Sequence, residues 1–433
     1  MRVRFALTGY LPEIFGGAEV YTHRLAAALQ RKGHDVGVVC LDFKHRRGIA
    51  TDAEFEGISV HRLGFNFAHR SAPLHLLQFF PEIYDEATQW LDAEKPDVVH
   101  ITNAWYMPAF AMAALHRNIP VVATHVDFVW ACRESHFLLP DKSLCVGPPD
   151  VDCAGCFPEL TAEQWSSFRE MRTLMHRLLA EAYVFHHCPC PLMARHVAAL
   201  GASEDKIGVW PYGVLEGERL QRSGSDIRLA FIGRWNRIKG IDVLLTAMEK
   251  VGPSVVLQLF GEQESWNNDS FAEEQGKKAK RLGNVEVMGR FDPAQLPDVL
   301  REIDALVLPS IWPENSPVSI LEALALGVPV ICADGEGMTN IVQHEINGLV
   351  FRSRDADDLA VQITRFANDA SLRNRLRQGA SCVRTIDRDA EDFAQIYQNA
   401  APPTDRQWLD ESRKFVQKVR EAHNRGDFER GSE

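Results

Sequence analysis

The chain has 433 residues, too many for one ordinary hydrophobic core, so two domains are expected. Hydrophobic content of 45% and charged content of 24% are those of a globular protein of the aqueous phase. A net charge of −12 excludes a general nucleic-acid binder, which needs a basic face, but two well-placed cations still suffice to hold one diphosphate.

No signal peptide is read at the N-terminus. Arg2 and Arg4 precede only Phe5-Ala6-Leu7 before Thr8 and Gly9, too short for the apolar run of a signal peptide. No segment reaches the roughly 18 apolar residues of a membrane span. A cytoplasmic protein is expected, with peripheral contact at the inner membrane surface left open. Nine cysteines in a reducing compartment are read first as metal ligands where they cluster.

In chain order, Val3–Leu7 reads as a strand, residues 8–17 as a loop and Ala18–Arg31 as a helix. Tyr21, Leu25, Ala28 and Leu29 share one face of that helix, and Gly33 stops it. A strand at Asp35–Cys40 follows, then a helix near Ile83–Ala93, a strand at Asp97–Ile101, a helix near Pro108–Arg117 and a strand at Val121–Thr124. The rhythm breaks between Cys132 and about Glu163, then resumes with a helix over Gln164–Glu181 and a strand near Ala182–His186. Polar residues 213–226 read as a linker. Beyond it, strands are expected at Ile227–Gly233, Val255–Phe260, Val285–Met288, Ala305–Pro309 and Val328–Cys332. Helices are expected near Gly240–Val251, Pro297–Glu302, Val318–Leu326 and Ala356–Asn368.

Strands separated by helical patterns indicate an α/β fold with two doubly wound Rossmann-like domains facing each other across a cleft. The expected boundaries are 1–212, with a Cys-rich insertion at 132–163, and 227–385, followed by a helical extension and tail at 386–433. Ligands are expected at the carboxyl ends of the strands.

Five sequence features carry chemistry. Gly16 and Gly17 open the first helix, where backbone amides can approach a ligand closely. His125 ends the strand at 121–124. Gly233-Arg234 and Lys239 lie in a strand–loop–helix turn, where a guanidinium fork and an ammonium can clamp a diphosphate. Glu314 and Glu322 stand eight positions apart around Asn315, Ser316, Val318 and Ser319, a turn running into a helix. Carboxylates there can accept hydrogen bonds from sugar and ribose hydroxyls, while free amides meet phosphate oxygens. Finally, Cys132, Cys145, Cys153 and Cys156 follow the spacing Cys-x12-Cys-x7-Cys-x2-Cys, which suits a structural zinc ahead of an iron–sulfur cluster, with His136 as a substitute ligand. The other thiols at Cys40, Cys332 and Cys382 read as packed core. The apolar stretch Phe65–Phe80 could meet a lipid-linked acceptor, although a core helix is its more ordinary reading.

Gly-Arg-x4-Lys-Gly at 233–240 and Glu-x7-Glu at 314–322, taken with the Gly-Gly-Ala-Glu loop at 16–19, resemble the GT-B retaining glycosyltransferases of family 4. The resemblance implies a nucleotide-diphosphate sugar as donor and the hydroxyl of a glycan, lipid-linked glycan or small molecule as acceptor. It implies that Gly16 and Gly17 approach the diphosphate and acceptor, and that Arg234 and Lys239 neutralise the leaving pyrophosphate. Glu322 would hold the ribose, Glu314 the transferred sugar, and His125 would lie beside that sugar. The anomeric configuration would be kept, with no catalytic metal. Two departures stand out: Val126 separates His125 from Asp127, and Cys188-Pro189-Cys190-Pro191 replaces a small polar helix start. A sugar-nucleotide epimerase or phosphorylase, or a non-catalytic binding or scaffold protein of the same fold, remain the alternatives.

Overall fold

The computed structural model describes residues 1–14, 16–44, 50–65, 78–132, 135–139, 143–145, 153–158, 160–219, 222, 224, 226–262, 270–380 and 383–424. The chain divides into two compact units, Met1–Pro211 joined by the chain from Ile386 on, and Tyr212–Thr385.

The first unit is built on one sheet of β1 (Arg2–Leu7), β2 (Asp35–Asp42), β3 (Ala50–Phe55), β4 (Ile58–Gly64), β5 (Val98–Ile101), β6 (Val121–Thr124), β7 (Phe185–Cys188) and β8 (Ile207–Val209). The strand order is β3-β4-β2-β1-β5-β6-β7-β8, and every pair is parallel except β3 with β4. The central strands β5 and β6 are buried at every position, and their residues are apolar except His100 and Thr124. Chain order reverses between β1 and β5, so the loops after those strands flank a switch point, where parallel sheets bind ligands. The β3–β4 hairpin has no counterpart in the expected elements. It turns through Glu56 and Gly57, both at positive φ (46° and 81°), and its outer strand is largely solvent-facing, so no hydrophobic alternation marks it.

The second unit carries β9 (Ile227–Ile232), β10 (Val255–Phe260), β11 (Val285–Gly289), β12 (Ala305–Leu308), β13 (Val330–Ala333) and β14 (Gly348–Phe351), in the order β11-β10-β9-β12-β13-β14. Here the reversal falls between β9 and β12. Leu229, Phe231, Leu257, Leu306 and Ile331 pack with Leu244, Leu245, Leu359 and Ile363 from the helices into its core.

The C-terminal extension begins at Ile386 and groups with the first unit, while the segment from Tyr212 groups with the second. The C-terminal helices Ile386–Gln398 and Arg406–Asn424 are amphipathic and bury Phe393, Tyr397, Trp408 and Phe415 in the first unit. Tyr21 Oη donates to Asp389 Oδ2 at 2.9 Å and Trp408 Nε1 to the Leu178 carbonyl at 2.8 Å. The described part of 213–226 is tied to the second unit rather than loose. Val214 donates its N–H to the Arg384 carbonyl, and Arg222 pairs with both Asp226 and Asp304, which also accepts from Arg377 at 2.6 Å. Of the apolar stretch at 65–80, Phe65, Phe79 and Phe80 are core, Phe79 packing edge-on against Phe415; residues 66–77 lie outside the described set.

His116 joins the last helix to this core. Ser412 Oγ donates to the Leu409 carbonyl and accepts from His116 Nε2, while Tyr84 Oη lies 2.7 Å from His116 Nδ1. Burial, helped by Arg413 and Arg117, pushes the His116 pKa down to about 4. The unfolded chain therefore binds the proton first as pH falls. Stability should be intact above pH 6.5 and decline between 6.5 and about 4, by about 2 kcal/mol from this group at pH 5. Urea unfolding at pH 7 and pH 5 checks this, and His116→Gln should remove this group's share of the difference, leaving that of the other buried histidines.

Candidate functional site

The switch point of the second unit gathers the loops after β9 and β12. After β9 the chain passes Gly233 and Arg234 to Asn236, whose side chain accepts from the Lys239 N–H and caps a 3-10 turn at Arg237–Lys239. Gly240 then takes φ 67°, and a Cβ there would lie 2.0 Å from the Pro309 carbonyl oxygen. Ile311 N–H donates to the Ile238 carbonyl at 2.9 Å. The two loops are thus pressed backbone to backbone, and only glycine fits at 240.

This contact brings Lys239 to Glu314. Three donors converge on Glu314 Oε1: Lys239 Nζ at 2.6 Å, Ser310 Oγ at 2.6 Å and Trp312 Nε1 at 2.8 Å. Lys239 Nζ also lies 5.2 Å from the centre of the Trp312 ring. Glu314 is 5% exposed, and so buried a carboxylate needs such neutralisation. Among the described residues no protein donor reaches Oε2, which is left to accept from a ligand.

Asn315, Ser316 and Pro317 lead into the helix Val318–Ala325, which has no side-chain cap. Asn315 Nδ2 donates to Tyr212 Oη at 3.3 Å. Ser316 is buried, and its Oγ has no hydrogen-bond partner among the described residues. An orphan hydroxyl at an uncapped helix start is a place for an anion or a polar ligand. Glu322 lies one turn into this helix, half-buried, and Arg234 is solvent-exposed. Gly337 packs against the same loop from the other side: a Cβ on it would fall 1.5 Å from the Glu314 carbonyl oxygen. Gly337, Ser310 and Trp312 therefore adjoin these loops, though none was expected, and Gly240 closes the motif read at 233–240. Gly240 was marked by the Lys-Gly that precedes a helix; Gly337, Ser310 and Trp312 carried no such signal.

In the first unit, Gly16 caps the helix Gly17–Arg31 with its backbone only, and Gly17 is exposed. A Cβ on Gly16 would meet Glu19 Oε2 at 2.4 Å, so a carboxylate already lies at this helix start. That disfavours a second anion and suits a hydroxyl-bearing ligand better. His125 extends β6, its N–H donating to the His187 carbonyl. Its ring is buried, edge-on to Trp130, with Nε2 3.0 Å from His186 Nδ1. Burial, with His186 and His187 nearby, holds its pKa well below the ordinary histidine value. Asp127 closes a turn by accepting from Val129 N–H at 2.9 Å; desolvation pushes its pKa to about 6 against that bond and one with Trp105. Cys190 caps the helix Pro191–Ala199 without a side-chain bond.

The zinc site expected at Cys132, Cys145, Cys153 and Cys156 finds no support among the described residues. Cys132, Cys145 and Cys156 all act on Cys153, whose pKa is raised first by burial, so the thiols share a neighbourhood. Among the described residues, however, no three of His, Cys, Asp or Glu are grouped to hold a metal ion. Cys145 and Cys153 are joined through residues 146–152, which lie outside the described set, as does Cys382. Cys40 and Cys332 are buried thiols, as expected; burial pushes Cys40 up to about 12.

A family model for glycosyl transferases group 1 matches residues 217–381, and one for a glycosyl transferase 4-like domain matches residues 16–213. The chain belongs to these group 1, family 4 glycosyltransferases of GT-B fold. Its function is glycosyl transfer from a nucleotide sugar. A glycogen synthase of Mycobacterium tuberculosis is 26% identical over 429 residues, 92% of this chain and 94% of that protein. The UDP-Gal:alpha-D-GlcNAc-diphosphoundecaprenol alpha-1,3-galactosyltransferase of Escherichia coli is 31% identical over 100 residues, 22% of this chain and 26% of that one. Among solved structures, Anabaena Alr3699/HepE in complex with UDP and glucose superimposes with a TM-score of 0.66 at 17% identity, covering 92% of this chain and 100% of that one.

Gly337→Ala should displace the Glu314–Asn315 backbone. Steady-state kinetics should show donor turnover reduced at least tenfold, with melting lowered by an amount equivalent to roughly 1–3 kcal/mol.

Proposed function

We propose that this glycosyltransferase binds a nucleoside-diphosphate sugar through its second unit and transfers the sugar, with retention and without a catalytic metal, to a hydroxyl of a glycan or lipid-linked glycan. The observation that carries this reading is the shared centre at Lys239 and Glu314 beside the orphan Ser316 hydroxyl. One loop system offers a cation, a polar helix start and a carboxylate oxygen, the three things a sugar diphosphate needs.

Arg234 and Lys239 meet the diphosphate, with Ser316 Oγ and the Val318 and Ser319 amides on its oxygens. As the anomeric C–O bond breaks, negative charge grows on the leaving diphosphate, and these groups stabilise it where it forms. That charge is balanced by protein cations, so no metal is needed. Glu322 accepts from the ribose hydroxyls. Glu314 accepts from the sugar through Oε2, and Asn315 and Gly233 line the approach. Glu314 is a poor nucleophile, because three donors draw charge onto Oε1. A covalent carboxylate intermediate of the kind used by retaining hydrolases is thus disfavoured, and the acceptor attacks from the leaving group's own face. Gly16 and Gly17 in the first unit leave room for acceptor hydroxyls, and His125 contributes to the sugar. The glycan acceptor follows the glycogen synthase likeness, and the lipid-linked one the likeness to the diphosphoundecaprenol enzyme. Among the described residues no helix is long and apolar enough to cross a membrane, so a lipid-linked acceptor would be met from the aqueous side.

A panel of sugar nucleotides tests the reading. One donor should release free nucleoside diphosphate slowly, undiminished by EDTA, and Lys239→Ala should cut that release at least a hundredfold. Proton NMR of the transfer product should show the donor's anomeric configuration. Binding with no turnover across donors and acceptors would instead favour a non-catalytic protein, and a donor returned with an altered sugar would favour an epimerase.

A further inference from the structure

The loop after β5 carries a half-buried tryptophan, Trp105, held in place from three sides within the first unit. Its carbonyl accepts from Thr8 Oγ1, in the loop after β1, at 2.6 Å. Its backbone N–H donates to Asn103 Oδ1 at 3.0 Å. Its side chain donates toward the carboxylate of Asp127, in the loop after β6. The next residue, Tyr106, takes φ 59°, a conformation that a bulky side chain keeps only where its surroundings impose it. Tyr106 turns into the core against Phe80 and Phe65, while Trp105 stays partly open at the carboxyl ends of β5 and β6. Those ends lie beside the switch point of the sheet.

Two polar neighbours of this ring have bonding capacity to spare. Asn103 Oδ1 takes the Trp105 N–H and lies 3.3 Å from Thr8 Oγ1, but among the described residues the Asn103 Nδ2 amide has no acceptor. Asp127 Oδ1 takes the Val129 N–H, and a carboxylate with so few donors can accept further bonds. Its pKa of about 6 leaves it mostly ionised at neutral pH. The helix that carries Glu19 at its start is tied to the same strand end, with Thr22 Oγ1 2.7 Å from Thr102 Oγ1. With carboxylates on both elements, this is a poor place for a phosphate and a good one for a neutral, hydroxyl-rich ligand.

We infer that Asn103, Trp105 and Asp127 form a subsite for an uncharged sugar ring of the acceptor: the C–H face of the ring stacks on the indole, its hydroxyls donate to Asp127, and the Asn103 amide donates to one of its oxygens. The negative face of an aromatic ring attracts polarised C–H groups, and the few polar groups around it fix the orientation. The subsite lies wholly in the first unit. It deepens the proposed function and rests on that reading, in which the acceptor is a glycan. A phosphorylated or carboxylated sugar in this place would meet the Asp127 carboxylate and be disfavoured.

Saturation-transfer NMR on the full chain tests the inference, with the methyl glycosides of glucose, galactose, mannose and N-acetylglucosamine as probes. At least one should bind, with saturation strongest on the ring protons of one face. Trp105→Ala should weaken that binding roughly fivefold or more, and Trp105→Phe, which keeps an aromatic face, should retain it within about threefold. Asp127→Asn should weaken it about threefold or more. Uridine, adenosine and guanosine diphosphates are the controls, and the one that the wild type binds should bind all three variants within about twofold. No methyl glycoside bound, or sugar binding that survives Trp105→Ala, would overturn the subsite. A well-folded Trp105→Ala protein that loses the nucleoside diphosphate as well would also overturn it, because the ring would then serve the nucleotide. Should Trp105→Ala fail to melt cooperatively, Asp127→Asn decides, since unchanged sugar binding in that variant contradicts the inference. If the wild type binds no nucleoside diphosphate, the proposed function fails, while the methyl glycosides still decide the subsite.

Discussion

The site depends on one buried carboxylate. Glu314 has been taken out of water, and a charge in that position survives only when neutralised and hydrogen-bonded. Lys239, Ser310 and Trp312 do this together on one oxygen. Removing a partner from such a cluster typically costs 3–5 kcal/mol, because a buried charge is left behind. The same arrangement fixes Lys239, a side chain with much rotational freedom, in one place. A cation that is already ordered loses less entropy when a diphosphate arrives, and this is a form of preorganisation.

Backbone geometry supports that carboxylate. The loops after β9 and β12 touch because Gly240 has no side chain, and the turn after β13 closes on Glu314 because Gly337 has none. Gly261, at φ 120°, lets the loop after β10 approach the Gly233 carbonyl in the same way. Three glycines therefore allow four strand ends to converge at the topological switch point. The first unit uses a different device: buried histidines oriented by carbonyls set the hydrogen-bonding sense of the strand ends, and the Glu19 carboxylate lies beside the start of the first helix.

Much of this was legible in the residue string, for identifiable reasons. The central strands are short apolar runs between glycines and helix-period segments, so β1, β5, β6, β9, β10 and β12 stood out within a residue or two. The cations of 234–239 and the acids of 314–322 each belong to a local pattern, and local patterns survive in one dimension. What was not legible is non-local. Lys239 and Glu314 were read as serving phosphate and sugar separately, since nothing in a separation of 75 residues says that they pair. Gly337 was invisible because its neighbour is a backbone atom of a different loop. The outer strand β3 of the hairpin lacks an apolar face to betray it. The four cysteines have metal-ligand spacing and share a neighbourhood, but among the described residues no three of His, Cys, Asp or Glu are grouped to hold a metal ion.

The central claim is that Lys239 and Glu314 act as a single unit rather than as two independent contacts. A double-mutant cycle on donor turnover, using Lys239→Gln, Glu314→Gln and the pair together, measures this directly. If the two form one unit, the double variant should be no slower than the worse single variant, within about threefold. Losses that multiply, so that the double variant falls by the product of the two single effects, would contradict the account.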